Sequence, residues 1–339
     1  MSSSIPATLI EGDGIGPEIL DATVEILDAL SAPFEWDRQR GGMSASDDDD
    51  DPLPATLLAS IHKTRLALKA PLETPIGGGF RSVNVRLREE FELYANYRPV
   101  QTYVPGHFGD IDLVLIRENT QGFYVGVEHY IKIGDDPKAV AEASGIITRE
   151  GCRRIAEFAF EYAVRLKRKK VTIVHKANIL KALAGLFLET ALDVGKAYED
   201  KIEIEDRIVD NCAMQLVINP SQFDVILTTN MFGDILSDEI AGLVGGLGLA
   251  PGGNIGSSAA IFEAVHGSAP DIAGQGIANP TALLLAAAMM LEHVNHQEKA
   301  TRLRAALKAT LNEDNIRTRD LGGNASTQEY TKAIIQRLS

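Results

Sequence analysis

The chain has 339 residues, 45% of them hydrophobic, and a formal net charge of −14. That length suggests two lobes around a large core, and the acidic balance argues against nucleic acid and anionic membrane as partners. Only Cys152 and Cys212 occur, so no disulfide framework is indicated, and a reducing, cytoplasmic setting fits.

The N-terminal MSSSIPATLIEGDG lacks a basic segment and a long apolar core, so it does not read as a signal peptide. Residues 7–30 read as strand, glycine turn and helix, with Pro17 suited to the first helical turn. The spacing Gly12-x-Gly14-x-Gly16 is not the G-x-G-x-x-G of Rossmann turns. DDDDDP at 47–52 reads as a solvated loop; a calcium site would need alternating ligands and a glycine. TRLALKAP (64–71) reads as a strand.

Residues 77–99 carry Arg81, Arg86, Arg88 and Arg98, with Ser82 and Asn84 two apart, and Arg117 follows in IDLVLIREN (111–119). Arginine binds carboxylates bidentately and Ser and Asn add hydrogen bonds, so a carboxylate receptor is one reading. A solvated helix face paired with Glu89, Glu90 and Glu92 is the other. IDLVLIREN, KVTIVHKAN (170–178) and FDVILTTN (223–230) are β-rich runs leading through turns into helical patterns. That alternation predicts an α/β fold with much parallel sheet. RLKRKK (165–170) closes a helix begun near Glu150, with its cations at the negative end. AGLVGGLGLAPGGNIG (241–256) is a glycine-rich break, either a linker or a loop close to a ligand. ALLLAAAMML (282–291) is about half of the ~20 residues a spanning helix needs and reads as a buried helix.

Tyr124 in GFYVG and Lys176 in VHKAN are candidate acid–base groups, although a lysine after a strand is often a rim residue. His266, in a loop of small residues, reads as a structural hydrogen-bonder. In TTNMFGDILSDEIAG (228–242), Asp234 and Asp238 share one helix face and repel by ~0.2–0.5 kcal/mol. Asp234 follows Gly233 and could cap a helix N-terminus. Alternatively both aspartates, with Asp210 of IVDNCAMQLV, supply oxygen ligands to Mg²⁺ or Mn²⁺.

GDGIGPE, LYANYRP, IREN, VHKANI, GDILSDEIAGLVGGLGLAP, GNIG and HGSAPDIAG occur in that order. Together they resemble the metal-dependent β-decarboxylating dehydrogenases along nearly the whole chain. Within that family, SVNVRLR is similar to the substrate helix of the NAD-dependent isocitrate enzymes. The resemblance implies a mixed sheet flanked by helices, distinct from Rossmann. It implies a large domain of residues 1–98 and 253–339 and a small one of 99–252. A clasp at about 125–148 would pair two subunits into a homodimer with shared active sites. Ser82 and Asn84 would bind the γ-carboxylate, and Arg88, Arg98 and Arg117 the others. Asp234 and Asp238 would hold the metal with Asp210 of the other subunit. Tyr124 and Lys176 would be the acid–base pair, the lysine again from the other subunit. Lys69 and Thr74 would lie near the nicotinamide, and His266, Gly267 and Asn279 would contact the rest of the cofactor.

NADP-dependent relatives have a Lys-Tyr pair where this chain has Asp271-Ile272. An aspartate accepts from the ribose hydroxyls of NAD and repels a 2′-phosphate, with no Lys or Arg inside HGSAPDIAG to offset it. The implied reaction is oxidative decarboxylation of isocitrate, a tricarboxylate, with NAD and Mg²⁺ or Mn²⁺. Homoisocitrate as substrate, or a non-catalytic regulatory role, are the competing readings. Arg86 is an extra cation beside the substrate helix, and the acidic run 47–51 has no expected counterpart or role.

Overall fold

The computed structural model describes residues 4–45, 51–73 and 82–339. Its first part comprises β1 (Ile5–Ile10), α1 (Gly16–Ala29), β2 (Phe34–Gln39), α2 (Ala55–Thr64), β3 (Leu66–Lys69), α3 (Val83–Glu90), β4 (Ala95–Gln101) and β5 (Asp112–Glu118). The middle holds β6 (Gly122–Ile133), β7 (Asp136–Ile146), α4 (Arg149–Arg165), β8 (Lys170–His175), α5 (Leu183–Gly195), β9 (Glu203–Ile208) and α6 (Val209–Ile218). The rest is β10 (Val225–Thr228), α7 (Asn230–Leu243), β11 (Pro251–Ile255), β12 (Ala260–Ala264), α8 (Thr281–His293), α9 (Gln297–Asn312) and α10 (Thr327–Leu338).

Ten strands form one sheet in the order β2-β1-β3-β12-β11-β4-β5-β10-β8-β9. Both flanks are parallel. The centre, where β11 pairs with β12 and β4, and β4 with β5, is antiparallel. Parallel strands are covered on both faces by crossover helices, which explains the apolar runs of β3, β5, β8 and β10. The two boundaries expected between domains fall inside β4 and β11, at the centre of this sheet.

The expected apolar helix at 282–291 is α8, buried from Thr281 to Leu291. A helix without a polar face belongs inside the core, and α8 packs there with α1, α9 and α10. A second cluster lies between β5, β10, α6 and α7. A third joins Leu53 and Leu57 to Val83 and Leu87 of α3. Both cysteines are free and buried.

Two expectations change. Asp234 is the fifth residue of α7, which begins at Asn230, so it does not cap that helix. The glycine-rich break at 241–256 contains a central strand, β11. β6 and β7 form a separate two-stranded ribbon, exposed beyond residue 125. It presents Val127, Tyr130, Ile131, Ile133 and Val140 to solvent. Among the described residues no helix is long and apolar enough to cross a membrane.

Candidate active site

The antiparallel register of β4 and β5 sets Asn96 opposite Arg117 and Arg98 opposite Leu115, so the two arginines sit close together at the sheet centre. The helix after β10 then lays α7 across them. Arg117, fully buried, donates to Asn230 Oδ1 through Nε at 3.0 Å and Nη2 at 2.6 Å, and to Asp234 through Nη1. Arg98 contacts Asp234 at 3.6 Å and Asp238 at 3.4 Å, and donates to Ser237. Tyr124 donates its phenol to the other oxygen of Asp234.

The electrostatics follow from this crowding. Burial lowers the pKa of the Arg117 guanidinium, and the nearby Arg88 cation lowers it further, to about 10. Burial likewise lowers that of Arg98, against the pull of Asp234. Burial alone would raise the Asp234 carboxyl, but Arg117 and the Tyr124 hydroxyl outweigh it and hold it below the usual range. Asp238 is raised, by burial and by the neighbouring Asp234 anion, although Arg98 pulls the other way. Burial and the bond to Asp234 raise Tyr124, so it keeps its proton at neutral pH. Arg88 bears on Arg98, Arg117, Tyr124 and Asp234 together, which places its charge at this site.

Glu90 and Glu92 have other partners than these arginines. Glu90 pairs with His62 at 2.9 Å, and Ser257 donates to Glu92 at 3.3 Å. Arg86 is held by Asp51 through two bonds of 2.5 and 2.9 Å. The extra cation and the last residue of the acidic run are therefore each other's partners, a role the sequence did not disclose. Asn84 Oδ1 is buried and has no partner among the described residues. Ser82 immediately precedes α3. Thr74, expected near the nicotinamide, and Arg81 lie outside the described residues.

Lys69 is buried at the end of β3 and pairs with Glu263 at 2.7 Å. Coulombic attraction to Lys69 and bonds from Lys69 and Asn254 overcome burial and bring Glu263 down to about 2.

Lys176 and Asp210 form a second group. Lys176 Nζ donates to Asp210, and that bond lowers the Asp210 carboxyl. The neighbour of Lys176 is thus an anion. Among the described residues no three His, Cys, Asp or Glu side chains gather as a metal site. One chain brings together Asp234, Asp238, Tyr124 and the arginines, and leaves Asp210 and Lys176 paired with each other.

A cavity of about 560 Å³ lies beside the loop at 266–279. His266, Gly267, Ile272 and Asn279 line it, with Arg319 and Asp320 brought from the far C-terminal segment. Asn279 donates to Asp320 at 2.9 Å and accepts from Thr281. Burial lowers the pKa of His266, whose Nδ1 lies 3.0 Å from the carbonyl of Gly267. Asp271 is exposed at the turn Pro270–Ile272 and is not part of the lining. Arg319 bears on the choice of cofactor. No cation lies inside HGSAPDIAG, but one stands on the cavity wall.

Sequence reasoning missed Asn230, Asn254, Glu263, Arg319 and Asp320. Asn230, within the TTNMFGD stretch, and Asn254, within GNIG, carried a usable signal. The others meet the site through strand pairing or chain reversal.

The sequence profile of the isocitrate/isopropylmalate dehydrogenases matches residues 7–334. The chain belongs to the isocitrate/isopropylmalate dehydrogenase family. A regulatory subunit of the mitochondrial NAD isocitrate dehydrogenase from Dictyostelium discoideum is 46% identical over 98% of this chain and 91% of its own. Catalytic subunit 5 of the mitochondrial enzyme from Arabidopsis thaliana is also 46% identical, over 99% of this chain and 89% of its own. The crystal structure of isocitrate dehydrogenase from Methylococcus capsulatus superposes with a TM-score of 0.94 at 51% identity, covering 98% of this chain and 99% of that one. The expected mixed-sheet fold is that of this family.

Proposed function

We infer that the protein oxidises isocitrate and decarboxylates it to 2-oxoglutarate and CO₂, with reduction of NAD and a divalent metal. The observation that carries this reading is the convergence of Arg88, Arg98 and Arg117 on the Asp234–Asp238 pair. A tricarboxylate meets that cluster of cations, and the relatives above are named for isocitrate and NAD. Identity to regulatory and catalytic subunits is equal, so the side chains decide between them. The chain carries Tyr124, Lys176 and all three aspartates, which favours a catalytic role.

The carboxylate pair fits a metal. Burial and then the Asp234 anion disfavour the Asp238 charge, and a divalent cation, which takes hard oxygen donors, offsets both. Asp234 and Asp238 would hold Mg²⁺ or Mn²⁺ with Asp210 of a second copy. When bound, the metal supplies Lewis-acid charge to the substrate's 2-hydroxyl and to the negative charge that loss of CO₂ leaves. Arg88, Arg98 and Arg117 bind and orient the carboxylates. Ser82 and Asn84 read the γ-carboxylate, which isopropylmalate lacks. Lys176 of a second copy would accept the hydroxyl proton, directly or through water, as the substrate's 2-hydrogen leaves as hydride. Tyr124, kept protonated by its surroundings, returns a proton to carbon.

Asn279, His266, Gly267 and Ile272 would bind the adenosine half of NAD in the 560 Å³ cavity. Asp271 would meet the ribose from the rim, and Lys69 and Thr74 would flank the nicotinamide. The division into residues 1–98 with 253–339 and residues 99–252 belongs to the same reading, as does a homodimer clasped by β6 and β7. The exposed apolar side chains of the ribbon, with Met214, Val217 and Ile235 on α6 and α7, support that pairing. A cytoplasmic setting rests on the two unpaired cysteines, whereas the relatives named above are mitochondrial; cell fractionation decides it.

The decisive experiment is turnover of isocitrate, homoisocitrate and isopropylmalate with NAD and then NADP, with Mn²⁺ or Mg²⁺ present. Isocitrate with NAD should exceed every other pair. Preference for homoisocitrate, or absence of turnover, overturns the reading.

A further inference from the structure

A row of buried side chains crosses four adjacent strands, from β4 through β11 and β12 to β3. Arg98 Nε donates to Asn96 Oδ1 at 2.9 Å. Asn96 Nδ2 donates to Asn254 Oδ1 at 2.9 Å. Asn254 Nδ2 donates to Glu263 Oε1 at 2.6 Å, and Lys69 Nζ meets Glu263 Oε2 at 2.7 Å. Strand register builds the row: Asn254 stands opposite Asn96, and Glu263 opposite Lys69. All five residues are buried.

The ends fix the direction of both amides. At one end a guanidinium needs an acceptor; at the other a carboxylate needs a donor. Turning both amides round would set N–H against N–H at Arg98 and oxygen against oxygen at Glu263. Each amide is polarised by the next, and in a dry interior such a chain is stiffer than its separate bonds. Asn254 is saturated. Its oxygen also accepts from Asn119 at 3.0 Å, and its nitrogen also donates to the carbonyl of Ile261 at 3.3 Å.

We propose that Asn96 and Asn254 are positioning residues that tie the substrate arginine Arg98 to the Lys69–Glu263 pair on the cofactor side. The two cations then keep one fixed spacing, set by the sheet, before substrate and cofactor arrive. Neither asparagine need touch either molecule. This rests on the roles assigned above to Arg98 and Lys69.

The test uses the full chain with Mn²⁺, in wild type, Asn96→Leu, Asn254→Leu, the double variant and Asn254→Asp. Isocitrate affinity is read by calorimetry, NADH affinity by fluorescence, and kcat and melting temperature alongside. Each single leucine variant should weaken isocitrate about tenfold, because a buried bond to a charged group is lost. The double variant should lose no more than either single, since one break disconnects the same row. NADH affinity, carried mostly by the cavity at His266 and Asn279, should move less than about twofold. Asn254→Asp keeps the volume and the acceptor oxygen but replaces the amide donor with a carboxyl that ionises against Glu263 as pH rises, and at about pH 8 or above should match the leucine variant or fall below it. It decides the matter alone if the leucine variants do not fold. Wild-type isocitrate affinity in any folded variant overturns the proposal. So do losses that multiply in the double variant, or isocitrate and NADH affinities falling together with the melting temperature. Wild type that neither binds nor turns over isocitrate fails the functional reading instead; the same non-additivity is then measured on whichever acid it does bind.

Discussion

The aliphatic stem of Arg117 occupies the space that any side chain at residue 233 would need: a Cβ on Gly233 would stand 2.6 Å from Arg117 Cγ. Gly233 is one residue before Asp234, so its missing side chain lets α7 settle onto β5 and brings Asp234 to the guanidinium. Gly233→Ala gains about 1 kcal/mol in helix propensity yet must push Arg117 or α7 aside, at a cost of about 1–3 kcal/mol. The expected result is an unchanged or lower melting temperature with an isocitrate KM raised about tenfold. A stabilised enzyme of normal KM would show that the contact is immaterial.

Asp238→Asn removes one of the three proposed ligands without changing shape. The Mn²⁺ concentration for half-maximal activity should rise at least about tenfold. The stabilisation that Mn²⁺ gives wild type in a melting experiment should shrink with it. Metal-free stability should hold or improve, because burial and then the Asp234 anion outweigh Arg98 in disfavouring the Asp238 charge. Normal Mn²⁺ dependence would remove Asp238 from the metal site.

Glu263→Gln leaves Lys69 buried without its counter-ion, and should destabilise the fold by about 3–5 kcal/mol in urea titrations. The pH dependence has a fixed sign. The folded carboxyl lies at about 2, below the unfolded value of about 4.3. Its contribution is complete above the unfolded value and is lost as pH falls towards the folded one. Wild type should therefore weaken below pH ~5, with the Gln variant losing less over the same span. Parallel curves for the two proteins would exclude Glu263 as the cause.

The cofactor reading predicts that Asp271→Lys with Ile272→Tyr raises kcat/KM for NADP more than about tenfold relative to NAD. Arg319, already on the cavity wall, would assist the new lysine against a 2′-phosphate. No gain for NADP would remove Asp271 and Ile272 as discriminators.

Shared sites can be tested by mixing. Tyr124→Phe and Lys176→Met chains should each be nearly inactive alone. Random reassociation makes half of the dimers mixed, each with one intact site, so activity should return to about a quarter of wild type. No recovery would place Tyr124 and Lys176 of one chain in the same site.

The elements built on periodicity were legible. β3, β5, β8, β10 and the all-apolar α8 stand where apolar pattern and length put them. β11 was hidden because PGGNI has almost no strand-forming residues, yet its glycines are what the centre requires. A Cβ at Gly253 would lie 2.4 Å from the Tyr97 ring. Charge composition alone could not separate a carboxylate receptor from a solvated face, since that depends on Glu90 and Glu92 turning to His62 and Ser257. Asp51 and Arg86, or Asn96 and Asn254, are far apart in sequence and joined only by the folded chain. Spacing did place Asp234 and Asp238 on one face of a helix; that the helix starts at Asn230 and not at Asp234 was set by β10 ending at Thr228.

If the β6–β7 ribbon clasps two copies as proposed, catalysis becomes a matter of concentration. Two strands alone are marginal in water, and beyond residue 125 this pair has little of its own chain to lean on. In the proposed dimer its order comes from association and falls off with dilution by mass action. Specific activity should drop on dilution, recover on reconcentration, and show a lag after a concentrated stock is diluted into assay buffer. On that reading, a cell holding this chain below the dimer's dissociation constant would contain the polypeptide without the enzyme.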